Sequence, residues 1–185
     1  TTSGVAASAH TVGLLVHTEK ACPGLTMFHP GRSTVLIDLN GQVVHEWKSN
    51  REGSVGYLQP DGTLIRYGQS PRFTGAGNPR DETQWNSKHW SFAGGSGYVQ
   101  AIHWDSTLLW EYQYINHQVC GHHDIEVLPN GHVLISAWER HTTEEAIAMG
   151  RDPEKLESDE LWSDHVVEIA PDGNGGAEIV WRWDW

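Results

Sequence analysis

Apolar and polar side chains alternate along most of this chain in short runs, and each run ends in a turn signal. TVLIDLNGQVVHEW, at 34–47, shows the unit: an alternating run, an Asn-Gly turn, and a second alternating run. Period-two alternation around Asn-Gly or Asp-Gly predicts a β-hairpin. The unit recurs. Val43-Val44-His45-Glu46-Trp47, Leu108-Leu109-Trp110-Glu111-Tyr112 and Ile179-Val180-Trp181-Arg182-Trp183 each place two aliphatics before an aromatic or His, a polar residue and an aromatic. A second hairpin type alternates with the first. Tyr57 to Ile65 matches Val127 to Leu134 once Pro60-Asp61-Gly62 is laid on Pro129-Asn130-Gly131. One hairpin of each type makes a four-stranded unit, the pattern of a β-propeller blade. The prediction is an all-β chain, a single partial β-propeller domain over 1–185. It has about three four-stranded blades, at about 12–48, 54–114 and 123–185. The first is the least regular, with GLLVH and LTMFH as its inner pair.

Two segments break the alternation. Residues 69–96 read as a long loop between the second and third strands of the second blade. Residues 142–162 hold the same place in the third blade and contain one short helical insertion. Thr142 and Glu145 have the spacing of a capping box, Glu144 to Met149 propagates a helix, and Gly150 can stop it. Equivalent insertion points put both segments on one face of the ring, where long loops commonly build a site.

Composition sharpens the picture without changing it. Ten Trp and 20 Gly among 185 residues suit many short strands joined by tight turns. A net charge of −12 and the absence of any basic run argue against nucleic acid or an anionic membrane as partner. No run approaches the ~18 apolar residues of a membrane span. Cys22 and Cys120 are the two cysteines. They read as two free or buried thiols, or as a disulfide if the protein is exported.

The repeat also separates scaffold from chemistry. Residues that recur at matching positions serve the fold: Trp47, Tyr112 and Trp183 as packing between blades, and His45 in the place of Trp110 and Trp181. His122-His123-Asp124 lies over Gly53-Ser54-Val55 and does not recur, so the fold does not require it. It stands at the start of an inner strand, which in a propeller lines the central channel. Neighbouring residues of a regular strand point to opposite faces, so one histidine is expected to face the channel and the other to pack sideways. Asp124 is expected to hold a ring nitrogen and fix its tautomer. The candidate catalytic residues are therefore His123, His122 and Asp124. Arg140 and His141, at the exit of the same hairpin, and His89, in the long insertion, are the candidate substrate-binding residues. His165 is expected away from the channel. No metal site or cofactor is assigned.

HHDIEVLPNGHVLISAWE, followed by TTEEAIAMGRDP and ELWSDHVVEIAPDG…EIVWRW, resembles the aryl-sulfate sulfotransferase family of β-propellers. TVLIDLNGQVVHEWKS and YLQPDGTLIRY are similar to its N-terminal part. The resemblance implies half of a six-bladed ring, exported to the periplasm or cell surface. It also implies transfer of a sulfuryl group from a phenolic sulfate to a phenol through a sulfated histidine, without a nucleotide cofactor. In that family the nucleophilic histidine lies in later blades, so the resemblance matches His123 to a sulfate-binding histidine. Other readings stay open. One is a non-catalytic propeller that binds a partner or carbohydrate through Trp85, Trp90 and Phe92; the other is a His-metal lyase or oxidase. Three blades cannot close a ring. Trp183 and Trp185 are thus expected on an open face, covered by a remaining half, a second copy or a companion chain.

Overall fold

The structure, a computed structural model, describes residues 16–69, 94–156 and 159–184. His89, Trp85, Trp90, Phe92, Trp185 and most of the GLLVH segment lie outside these residues; Val16 and His17, which end that segment, are not in a strand.

The described residues form eleven strands in three antiparallel sheets, each a simple meander. Sheet one has three strands, β1 (Thr26–Phe28), β2 (Ser33–Ile37) and β3 (Val43–Lys48). Sheet two contains β4 (Gly53–Leu58), β5 (Leu64–Gln69), β6 (Gly97–Ile102) and β7 (Leu108–Gln113). Sheet three contains β8 (Val119–Val127), β9 (Val133–Thr142), β10 (Glu160–Pro171) and β11 (Ala177–Asp184). Both insertions fall between the second and third strands of their sheets. The second carries helix α1 (Thr143–Ala148), capped as its sequence predicts. Thr142 accepts from the Glu145 backbone N–H, Glu145 reaches back to the Thr142 N–H, and Gly150 follows at φ +100°.

The sheets pack against one another in chain order. Sheet two lies in the middle, so its central strands β5 and β6 are buried on both faces, as β5 shows. Leu64 meets Leu36, Trp47 and Ile102 in the cluster shared with sheet one. Ile65 and Tyr67 point the other way and join Val99, Ala101, Ile125, Val133, Ile135, Ala137, Val167 and Ile169 in the cluster shared with sheet three. The contact between sheets one and two also has a polar seam. Arg66, fully buried, donates to the carbonyls of Arg32 and Arg51, and burial lowers its pKa to about 10. Arg51 grips Glu111 with two 2.7 Å bonds and lies 3.2 Å over the Tyr98 ring. Cys22 is exposed and Cys120 buried, and the two are not bonded; burial pushes the Cys120 thiol up to about 12.

The recurring outer strands have unequal surroundings. Each outer hairpin turn rests on the outer strand of the sheet before it. Trp104 stacks on His45 at 3.6 Å and meets Trp47 edge-on, while Gly175 O accepts from the Glu111 N–H of β7. Trp47 is thereby fully buried and Tyr112 packs partly buried into the core. Trp183, at the matching place in β11, is 46% exposed, and Trp181 is 48% exposed. The recurring aromatics thus pack between sheets in the first two copies, and in the third they stand on an open face.

Candidate functional site

His122, His123 and Asp124 lie inside β8, three residues past its start, and not at the front of the strand as the sequence suggests. The strand is broken there. Gly121 pairs with Ala137 and Ile125 with Ile135, so three residues of β8 stand opposite Ser136 alone. Ser136 Oγ closes the bulge by donating to the carbonyls of His122 and Asp124. Within the bulge His123 adopts φ +56°, a left-handed conformation uncommon for any residue but glycine. Sheet two has a smaller register shift at the matching place, between Gly53 and Val55. The bulge thus belongs to the repeated fold, while the histidines on it do not recur.

The broken strand overturns the expectation that the two rings diverge. His122 Nδ1 and His123 Nδ1 lie 2.9 Å apart, with the rings nearly perpendicular. His122 stacks on Trp138 at 4.2 Å, and His123 meets the same indole edge-on. The other nitrogen of His122, Nε2, lies 3.0 Å from Asp164 Oδ1, on β10. Asp164 therefore holds the ring, in the role expected of Asp124. Asp124 accepts instead from the Tyr57 hydroxyl at 2.9 Å and from the Ile125 N–H at 2.8 Å.

These contacts fix the protons. A carboxylate only accepts, so His122 Nε2 carries hydrogen. Burial, the largest influence, lowers the His122 pKa below its ordinary value despite the opposing pull of Asp164, so the neutral ring is favoured. A neutral His122 with its hydrogen on Nε2 has a lone pair at Nδ1. His123 must then donate from its own Nδ1, so that in the neutral ring the lone pair of His123 is on Nε2. That nitrogen sits over Gly94, the end of the long insertion, where a Cβ would stand only 2.6 Å away. His123 N–H donates to Gly94 O at 2.7 Å, and Gly95 bridges to His122, so this glycine segment runs along the bulge. His123 is exposed and His122 buried.

The other candidates are not brought to this pair. Arg140 Nη2 donates to Glu160 Oε1 at 2.5 Å, and that carboxylate raises the arginine pKa further. His141 Nε2 lies 2.9 Å from Ser163 Oγ, lining a cleft of about 780 Å³ with Trp162, Arg151 and Arg182. Asp164 borders that cleft as well, but neither His122 nor His123 does. Arg182 is held by Glu139 and Asp184. His165 is buried, its Nε2 2.8 Å from the Tyr114 hydroxyl. His45 packs between Trp47 and Trp104, also as expected. Among the described residues no three His, Cys, Asp or Glu side chains converge as metal ligands.

Asp164 and Trp138 were missed from sequence, though the repeat held a signal for both. They are partners across β9 and β10, and the matching partners in sheet two are Gly97 and Gln69. Neither recurs, so the test that marks the histidines also marks them. No family model matches the chain, and no curated protein is similar to it.

Proposed function

We propose that the three sheets are consecutive blades of a β-propeller and that the bulge on β8 is part of a group-transfer site. The substrate class is an aryl sulfate, with transfer of the sulfuryl group to a phenol through a histidine. The observation that carries this reading is the His123 ring. One nitrogen is tied into a hydrogen-bonded chain, and the other has no hydrogen-bond partner among the described residues. Structural histidines more often have both nitrogens satisfied. A neutral imidazole nitrogen is a competent nucleophile toward sulfur, and passing through it splits one difficult transfer into two easier ones.

The propeller reading has its own support. His122, Trp138 and Asp164 are on the face of sheet three turned away from sheet two, because the alternate residues of β9, Ile135 and Ala137, fill the shared core. The outer strand of that sheet carries the exposed Ile179, Val180, Trp181 and Trp183. A further sheet of the same kind, stacked as sheet two is on sheet one, would cover the strand and supply the facing wall of the site. It would belong to more of the same chain, to a second copy or to a companion chain. Cationic donors for the sulfate oxygens would come from that wall, since Arg140 and Arg182 are already paired with carboxylates.

The test incubates the complete protein with a chromogenic aryl sulfate, with and without phenol. Phenol-dependent release of the chromophore, lost in His123→Ala, is expected. A folded sample that releases none refutes the sulfuryl-transfer reading.

A further inference from the structure

The resemblance to sulfotransferases casts His123 as a donor that grips sulfate, whereas the hydrogen-bond chain points to the opposite polarity. We infer that Asp164 and His122 are positioning residues that hold His123 as the Nδ1–H tautomer, so that His123 presents a lone pair and carries the transferred group itself. This rests on the proposed group-transfer reading for its substrate, but not for its geometry.

The chain has one consistent direction when both rings are neutral. Asp164 Oδ1 accepts from His122 Nε2–H at 3.0 Å, and His122 Nδ1 accepts from His123 Nδ1–H at 2.9 Å. Trp138, stacked at 4.2 Å on His122, packs against one face of that ring. While both rings are neutral, His123 Nε2 has no hydrogen to donate. A sulfate oxygen, itself only an acceptor, would face a lone pair there and be repelled. An electrophilic sulfur would meet a nucleophile.

The same chain disposes of the proton that transfer sets free. As the Nε2 lone pair forms the N–S bond, the S–O bond to the phenol breaks and the phenolate departs with that electron pair. The His123 ring is now cationic, and its Nδ1 proton moves along the 2.9 Å contact to His122 Nδ1. His122 becomes an imidazolium beside the Asp164 carboxylate, and the sulfated ring becomes neutral and a poor leaving group. When the acceptor phenol attacks sulfur and its proton goes to the medium, the stored proton returns to His123 Nδ1 and the nitrogen–sulfur bond can break. The departing phenolate takes up one proton from the medium, so the cycle balances. In this scheme the pair Asp164–His122 protects the intermediate until the acceptor arrives.

Nitrogen-15 NMR of the histidine rings in the full chain tests the assignment without any substrate. The expected result is hydrogen on His122 Nε2 and His123 Nδ1, with His123 Nε2 unprotonated. A protonated His123 Nε2 in the unmodified protein at neutral pH overturns the proposal, and that arm needs no variant to fold. Asp164→Asn, close to isosteric, should let the chain reverse, move the hydrogen of His123 to Nε2 and slow its acylation by diethyl pyrocarbonate about tenfold or more. Asp164→Glu should largely restore the original pattern. Unchanged tautomers and acylation in Asp164→Asn would refute the positioning role. If the tautomers are as expected but aryl sulfate is not turned over, only the substrate reading falls.

Discussion

At the scale of single residues, the bulge depends on atoms that are absent. Gly121 sits against the Tyr67 side chain so closely that a Cβ would overlap the hydroxyl oxygen and come within 2.9 Å of the ring carbon bearing it. Tyr67 has no room to yield. It is fully buried, and its hydroxyl has no hydrogen-bond partner among the described residues. Gly121→Ala is therefore expected to destabilise the fold by about 1–3 kcal/mol through overpacking. Tyr67→Phe alone should be close to neutral, because removing an unpartnered buried hydroxyl leaves no new group unsatisfied. The double variant should recover part of the loss, and a denaturant-unfolding cycle measures that coupling. Strictly additive effects would show that the two side chains do not meet in solution. None of this was legible in the sequence, where Gly121 is one of 20 glycines and nothing marks its neighbour across the sheet interface. The histidines were legible for a different reason: they interrupt a repeat. The use made of them was not, because alternation along a regular strand sends the rings apart, and the bulge that turns them together is a matter of register.

At the scale of elements, the hairpins closed by Asn-Gly and Asp-Gly and the helix were read correctly because their signals are local, whereas the inner pair expected of GLLVH and LTMFH is not seen among the described residues. Asn40-Gly41 and Asn130-Gly131 close turns with glycine at φ +75° and +83°, a conformation that sequence alone demands there. The capping box of α1 is a spacing within four residues, and both of its reciprocal bonds are present. Thr142→Ala should cost about 1 kcal/mol, read as a fall in melting temperature. Its effect on the His122–His123 tautomers should be nil, since α1 is bonded to neither ring. A shifted tautomer in that variant would couple the insertion to the site and contradict this separation. Distances between elements were harder to read. Arg140 and His141 follow the histidine bulge on the same hairpin, so nearness along the chain suggested one site. The strands extend far enough beyond the bulge that Arg140 reaches Glu160, and His141 reaches Ser163, across the β9–β10 ladder.

Whole-molecule behaviour follows from what the sheets bury and what they leave open. Three histidines, His29, His122 and His165, have pKa values lowered chiefly by burial, from an ordinary 6.5. The unfolded chain takes up these protons as pH falls through that value, and the folded chain resists them. Below about pH 6.5 the unfolded state therefore binds more protons and stability declines; above it the contribution is fully present. The denaturant midpoint should fall between pH 7.5 and 5.5, well before the carboxylates titrate. A net charge of −12 works the other way, because protonating exposed histidines relieves repulsion. Salt of about 0.2 M screens that term and leaves the buried one. A midpoint that is flat or rises on acidification in such salt would show that the buried rings are charged in the folded state.

The open strand β11 sets the state of association. Ile179, Val180, Trp181 and Trp183 are 43–48% exposed, on a strand whose only sheet partner among the described residues is β10. The internal comparison says what this surface is shaped for: Trp47, in the matching strand of sheet one, is covered by the turn and core of the next sheet. Exposed apolar surface of this extent, together with a free strand edge, favours pairing with another polypeptide. The isolated 185-residue chain should therefore sediment as a concentration-dependent mixture of monomer and larger species. Val180→Lys combined with Trp181→Lys should shift it to monomer without loss of the sheet circular-dichroism signal, because neither side chain belongs to a core cluster. In a chain that continues into a further sheet the same pair of substitutions would instead lower the melting temperature, since the covering surface is then attached. A wild-type chain that stays monomeric at every concentration, and is unaffected by the lysines, would mean that β11 needs no cover and that the stacking of these sheets ends with the third.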